Sequence, residues 1–171
     1  SYSGKHSRRG LRDSEGIMIE VQKVTLGSDV RRSSSVQKVL VEYEFLDRRS
    51  HRSEAHSVSR TRPEVKLNFA KTFPIRSPRD DAAAIVRDML RGRGSSSAIE
   101  FTLLSSSSSG RDERLGKASV LLKDILERGS DRDFVPFADI DIYDVSSSGK
   151  RVGKIEISIV AFKCLEKIMY D

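Results

Sequence analysis

Apolar and polar residues alternate along most of this chain. Ile17, Ile19 and Val21 begin the pattern, Val39, Val41, Tyr43 and Phe45 continue it, and Val65, Leu67 and Phe69 follow. The spacing returns at Ile99, Phe101 and Leu103, at Ala118, Val120 and Leu122, and at Ile140 and Ile142. It ends at Ile155, Ile157, Ile159 and Ala161, and a weaker stretch runs from Ala55 to Arg60. A period of two places every second side chain on the same face of a pleated strand, so each run predicts a half-buried strand. About eight such strands separated by turn-rich segments predict a mainly β, antiparallel sandwich or barrel.

One segment departs from the alternation. Ser77-Pro78 offers an N-cap followed by a proline at the first helical position, Asp80 and Asp81 complement the positive helix end, and Ile85, Val86, Met89 and Leu90 form an apolar stripe. With Arg87 and Arg91 at the far end and Gly92 to stop it, a helix is expected from Arg79 to Arg91, inserted between the fourth and fifth strands. A second short helical turn is expected after Lys123, with Ile125 and Leu126 inward and Gly129 ending it. The tail Phe162 to Met169 has Phe162, Leu165, Ile168 and Met169 at helical spacing. Residues 1–15 are rich in Ser, Arg and Gly without periodicity and read as a flexible linker or tail, leaving 16–171 as one domain. Serine tracts at Ser33 to Ser35, Ser95 to Ser97, Ser105 to Ser109 and Ser146 to Ser148 read as solvated filler between strands.

Composition narrows the function. Of the 171 residues 37% are hydrophobic and 33% charged, with charges of both signs dispersed, which suits a folded domain with a solvated surface. No run approaches the ~20 apolar residues of a membrane span, and residues 1–15 lack the apolar core of a secretion signal. Cys164 is the single cysteine and cannot close an internal disulfide, which fits a reducing compartment; with His6, His51 and His56 it cannot supply a conventional structural zinc site. The net charge of +6 suits acidic partners. The aromatics, however, fall inside strand patterns instead of interleaving with a basic stripe, so no nucleic acid is expected.

Catalytic signatures are absent from the pattern. No serine occupies a G-x-S-x-G elbow, and His51 and His56 lie in a polar stretch without an orienting motif. Gly92-Arg93-Gly94 lacks the lysine of a phosphate loop and is better explained as a helix stop. Asp139 and Asp141 alternate with Ile140 and Ile142, as solvent-side residues of a strand do, and Cys164 sits among apolar residues at helical spacing with no histidine nearby. No enzyme and no cofactor is expected.

A set of short motifs in fixed order carries a resemblance. Val39-Leu40-Val41-Glu42-Tyr43-Glu44-Phe45-Leu46-Asp47 is followed by Asp88-Met89-Leu90-Arg91-Gly92, by Phe101-Thr102, and by Gly116 and Ala118. Ile125-Leu126-Glu127-Arg128-Gly129 and Val152-Gly153-Lys154-Ile155 complete it. This set, spanning Gly16 to Tyr170, resembles the C-terminal C2-type domain of the retinitis pigmentosa GTPase regulator-interacting protein family. The resemblance implies an eight-stranded antiparallel C2-type β-sandwich at the end of a coiled-coil scaffold protein. It further implies a place at the base of the cilium or flagellum (transition zone or basal body, cytoplasmic side) and, as protein partner, the β-propeller domain of the regulator.

Many C2 domains bind calcium and then anionic lipid. Calcium takes about six to eight oxygen ligands, which loops at one end of such a sandwich supply. The corresponding loops, 27–35, 61–64 and 105–114, offer Asp29, Glu64, Asp112 and Glu113 without a paired Asp-x-Asp pattern, and they carry Arg31, Arg32, Arg62, Arg111 and Arg114, whose charge opposes a divalent cation. No calcium site is expected. Those five arginines are the candidate site for an acidic partner face, or alternatively for calcium-independent binding of phosphoinositide membrane, because each guanidinium offers forked donors to carboxylate or phosphate.

Overall fold

The computed structural model describes residues 16–92, 97–124, 134–146 and 149–170. Its strands are β1 (Gly16–Leu26), β2 (Lys38–Glu44), β3 (Ser50–Arg52), β4 (His56–Ser57), β5 (Glu64–Pro74), β6 (Ala98–Ser106), β7 (Glu113–Leu121), β8 (Phe134–Tyr143) and β9 (Arg151–Val160). Helices accompany them at α1 (Ser28–Arg32), α2 (Asp81–Leu90) and α3 (Phe162–Tyr170). Every pairing is antiparallel, in the order β3-β2-β6-β7-β8-β9-β1-β5, with β4 also on β2. With β3 and β4 taken as two pieces of one broken edge strand the sheet counts eight strands, and α2 lies between β5 and β6, one label beyond the expected place between the fourth and fifth because that edge strand is broken.

Among the described residues β7 and β8 pair only at Lys117 with Tyr143, and the sheet curls there into two facing halves. Between the halves lie the alternating residues: Ile17, Ile19 and Val21, Val39, Val41 and Tyr43, Ile99, Phe101 and Leu103, and Ile155, Ile157 and Ile159 are all buried. Aromatic rings join them, with Tyr43 4.9 Å from Phe101 and 6.2 Å from Phe73 between centroids, and Phe45 5.0 Å from Phe73. In β1 the inward positions change from Ile17, Ile19 and Val21 to Val24 and Leu26, because the register with both β5 and β9 shifts between Val21 and Lys23. A bulge there reverses the parity without ending the strand.

Helix α2 begins later than its sequence suggests. Ser77 and Asp80 close a turn through Asp80 N–H to Ser77 O at 3.1 Å, and the Asp80 carboxylate accepts from the N–H groups of Arg76 and Ser77, so Asp80 takes the N-cap position and the helix starts at Asp81. Ala83, Val86, Met89 and Leu90 form its buried stripe. The tail is helical as its spacing indicates, with Cys164, Leu165 and Ile168 buried. α2 and α3 pack together at the end of the sandwich where β1 begins and β5 and β9 finish. The serine tract at Ser105 is not all filler: β6 runs through Ser106, and Ser105 is buried between Val39 and Glu113 in the ladder. The helical turn expected near Lys123 begins at Leu122 to Asp124, while Ile125, Leu126 and Gly129 fall outside the described residues, as do the linker 1–15, Ser95 and Ser96, and Ser147 and Ser148.

Candidate functional site

Four connections lie at the end opposite the helices: residues 27–37, 58–63, 107–112, and the described parts 144–146 and 149–150 of the last. The register requires this, because Thr25 pairs with Glu64 and Lys154, Lys38 with Ser57 and Ser106, and Tyr143 with Arg151. The three loops expected to share an end do so, and the fourth, between β8 and β9, joins them. Together they carry Arg31, Arg32, Arg60, Arg62, Arg111 and Lys150 against Asp29, Asp112 and Asp144. The end is therefore cationic, though modestly.

The five arginines are not equivalent. Arg31 lies half-buried on α1 and reaches towards the neighbouring loop, its Nη1 donating to the Arg60 carbonyl at 3.5 Å, with Nε buried and without a hydrogen-bond partner among the described residues. Arg32, Arg62, Arg111 and Arg114 are exposed. Arg62 and Arg111 are placed by serine contacts to their own backbone: Arg62 N–H donates to Ser59 Oγ at 3.1 Å, and Ser107 Oγ donates to Arg111 O at 2.7 Å.

Three carboxylates at this end are engaged by cations of the same chain. Asp29 pairs with Lys150, Asp112 with Arg52, and Glu64 with Lys23 at 3.3 Å. The hydrogen bond from Lys150 holds the Asp29 carboxyl below its ordinary value and raises the lysine in turn; Asp112 likewise raises Arg52. Exposed pairs of this kind add little to stability. They do neutralise the oxygens a divalent cation would need, and the described residues contain no group of three His, Cys, Asp or Glu side chains that could hold a metal.

A cleft of about 640 Å³ opens on one side of this end. Leu26 and Val30, Ser33, Ser35 and Val36, the start of β7 at Glu113, Arg114 and Leu115, and residues Asp144 and Lys150 to Lys154 line it. Of the five arginines only Arg114 faces it. The cleft was not legible in the chain, whose one hint was the Ser146 to Ser148 tract with Lys150 between two strands.

The ionisable groups elsewhere are arranged for structure. His51 is oriented after all: its Nε2 lies 2.9 and 3.0 Å from the two Asp47 oxygens, and its ring packs on Phe73 at 5.1 Å. The adjacent Ser50 hydroxyl turns to Glu42 instead, so these residues do not form a nucleophile and base pair. Asp141 accepts from Arg151 at 3.4 Å and from the Tyr143 hydroxyl at 3.3 Å. Burial pushes the Cys164 thiol up to about 11, which leaves it a packing residue.

Comparison with known proteins agrees with the geometry. The family model described as "Retinitis pigmentosa G-protein regulator interacting C-terminal" matches residues 13–171. Among solved structures, a C2 domain of plant extended synaptotagmin 1 is similar with a TM-score of 0.56 at 16% identity, covering 87% of this chain and 95% of that one. The CC2D1B structure has a TM-score of 0.62 at 16% identity, covering 93% and 60%. Calcium-bound extended synaptotagmin 2, a structure of two successive C2 domains, has a TM-score of 0.50 at 15% identity, covering 86% and 42%. At these identities the likeness establishes the fold, a C2-type sandwich.

Proposed function

This chain belongs to the retinitis pigmentosa G-protein regulator interacting C-terminal family, and from that membership we propose that it is a non-catalytic, calcium-independent docking module for a partner protein. The partner is a β-propeller regulator, and the module ends a scaffold at the ciliary or flagellar base. The match over 13–171 carries this reading. The loop-end carboxylates support it, since Asp29, Asp112 and Glu64 each pair with a cation of the chain and form no cluster of three among the described residues. Proximity labelling with the full-length protein in its own ciliated cells tests it: transition-zone or basal-body neighbours are expected, and labelling spread through the cytoplasm without them would count against it.

A second reading rests on a separate observation. Arg62, Arg111 and Arg114 present exposed guanidiniums at one end and make no ion pair among the described residues. Such donors suit phosphoinositide headgroups. Co-sedimentation with phosphoinositide vesicles in EDTA decides it, with binding expected to fall on Arg62→Ala, Arg111→Ala and Arg114→Ala combined; binding indifferent to those changes would remove the reading.

A further inference from the structure

The start of β7 has a strand on one side only. Its inner edge pairs with β6, Arg114 with Leu104 and Glu113 with Ser105, while its outer edge meets β8 at Lys117 alone. From Glu113 to Leu115 no strand lies beside that outer edge among the described residues, and this stretch borders the cleft. Leu115, the extra residue of the β-bulge between Leu103 and Leu104, lines the cleft with Val30, Val36 and Val152, giving it an apolar component. Charges of both signs complete it, Asp29, Glu113 and Asp144 with Arg114, Lys150, Arg151 and Lys154. Three carboxylates stand among the four cations, and Lys150 and Arg151 are already paired with Asp29 and Asp141, so the cleft lacks the concentrated positive charge a polyphosphate headgroup calls for, whereas an open strand edge beside apolar side chains matches an extended polypeptide.

We propose that this cleft docks an extended segment of a partner protein, which adds as a strand to the outer edge of β7 and places alternate apolar side chains against Val30, Leu115 and Val152. The volume of about 640 Å³ is within the range of specific ligand sites, about 300–1,000 Å³. The proposal rests on the protein-docking reading and gives it a place and a mode.

Hydrogen exchange of the whole chain with and without the recombinant propeller domain of the regulator is the first arm. Slowed exchange is expected at the amides of residues 113–115 and 150–154. Ser35→Arg, which fills the cleft from an exposed position, is expected to weaken binding by about tenfold or more, with an unchanged melting temperature. Ala84→Arg, on the exposed face of α2 at the far end, should leave binding unchanged. Protection confined to other segments, with Ser35→Arg binding normally, overturns the proposal. Dimerisation abolished by Ser35→Arg, or equal protection of 113–115 by phosphoinositide vesicles, overturns it as well. The second arm needs no propeller: a displayed library of random nine-residue peptides is panned on the chain. Binders with alternating apolar residues that lose affinity for the Ser35→Arg protein are expected, and no binder sensitive to that change refutes the cleft. A propeller that fails to bind while such peptides do would sink the proposed function and leave the cleft standing.

Discussion

Gly153 lies in β9 with Leu26 of β1 on one side and Ile142 of β8 on the other. A Cβ placed there would overlap the Thr25 carbonyl oxygen and sit 3.4 Å from Leu26 Cα, both backbone atoms that cannot rotate away. Gly153→Ala must therefore move β1 from β9 in the middle of the sheet. Overpacking of this kind costs about 1–3 kcal/mol, and for a domain of this size each kcal/mol lowers Tm by about 2–4 °C. Circular-dichroism melts and urea titrations of Gly153→Ala should show a loss of about 2–12 °C with the urea m-value unchanged, and Ser119→Ala, at an exposed position, should melt like the parent. A Gly153→Ala protein melting within a degree of the parent would show that the close approach does not exist. Gly116→Ala is an independent check, because its Cβ would meet Ile142 and Val152 methyls and the Tyr143 oxygen at 2.7 to 2.8 Å.

Other expectations follow from buried polar groups. The Tyr43 hydroxyl is buried without a hydrogen-bond partner among the described residues, and burial pushes its pKa well above the usual value, so Tyr43→Phe should leave stability unchanged or raise it in urea titration; a clear loss would reveal a partner for the hydroxyl. Burial pushes the Asp47 carboxyl up, but hydrogen bonds from His51 and the Arg49 N–H outweigh it and hold the pKa below normal. The resulting stability is present above about pH 4, the unfolded value, and lost as pH falls through the lower folded value. Asp47→Asn should therefore flatten the acid limb of a Tm-against-pH profile, and an unchanged limb would remove the pairing from the account. Cys164, buried and raised to about 11, should react slowly with a thiol reagent at pH 8 until denaturant is added; prompt reaction of the native protein would place the thiol at the surface.

The strands were legible because burial keeps largely to alternate positions: Val39, Val41, Tyr43 and Phe45 are all buried. The bulge of β1 was not, since a register shift depends on two neighbouring strands and leaves no local mark between Val21 and Lys23. α1 was missed for a different reason. A five-residue helix with Val30 as its one buried residue has no periodicity to read. Gly116 and Gly153 were recognisable as motif letters, but their necessity is a matter of strands crossing close by. The arginines of the loops could be gathered at one end from strand order alone. Which of them is consumed in packing, as Arg31 is, and which faces the cleft, as Arg114 does, depends on loop conformation that residue spacing does not encode.

Isothermal titration of the whole chain with the regulator's propeller domain, once in EDTA and once in millimolar calcium, tests calcium-independent protein docking most directly. A saturable one-to-one isotherm with the same Kd in both buffers is the predicted result. No binding in either buffer, or binding that appears on addition of calcium alone, would contradict it.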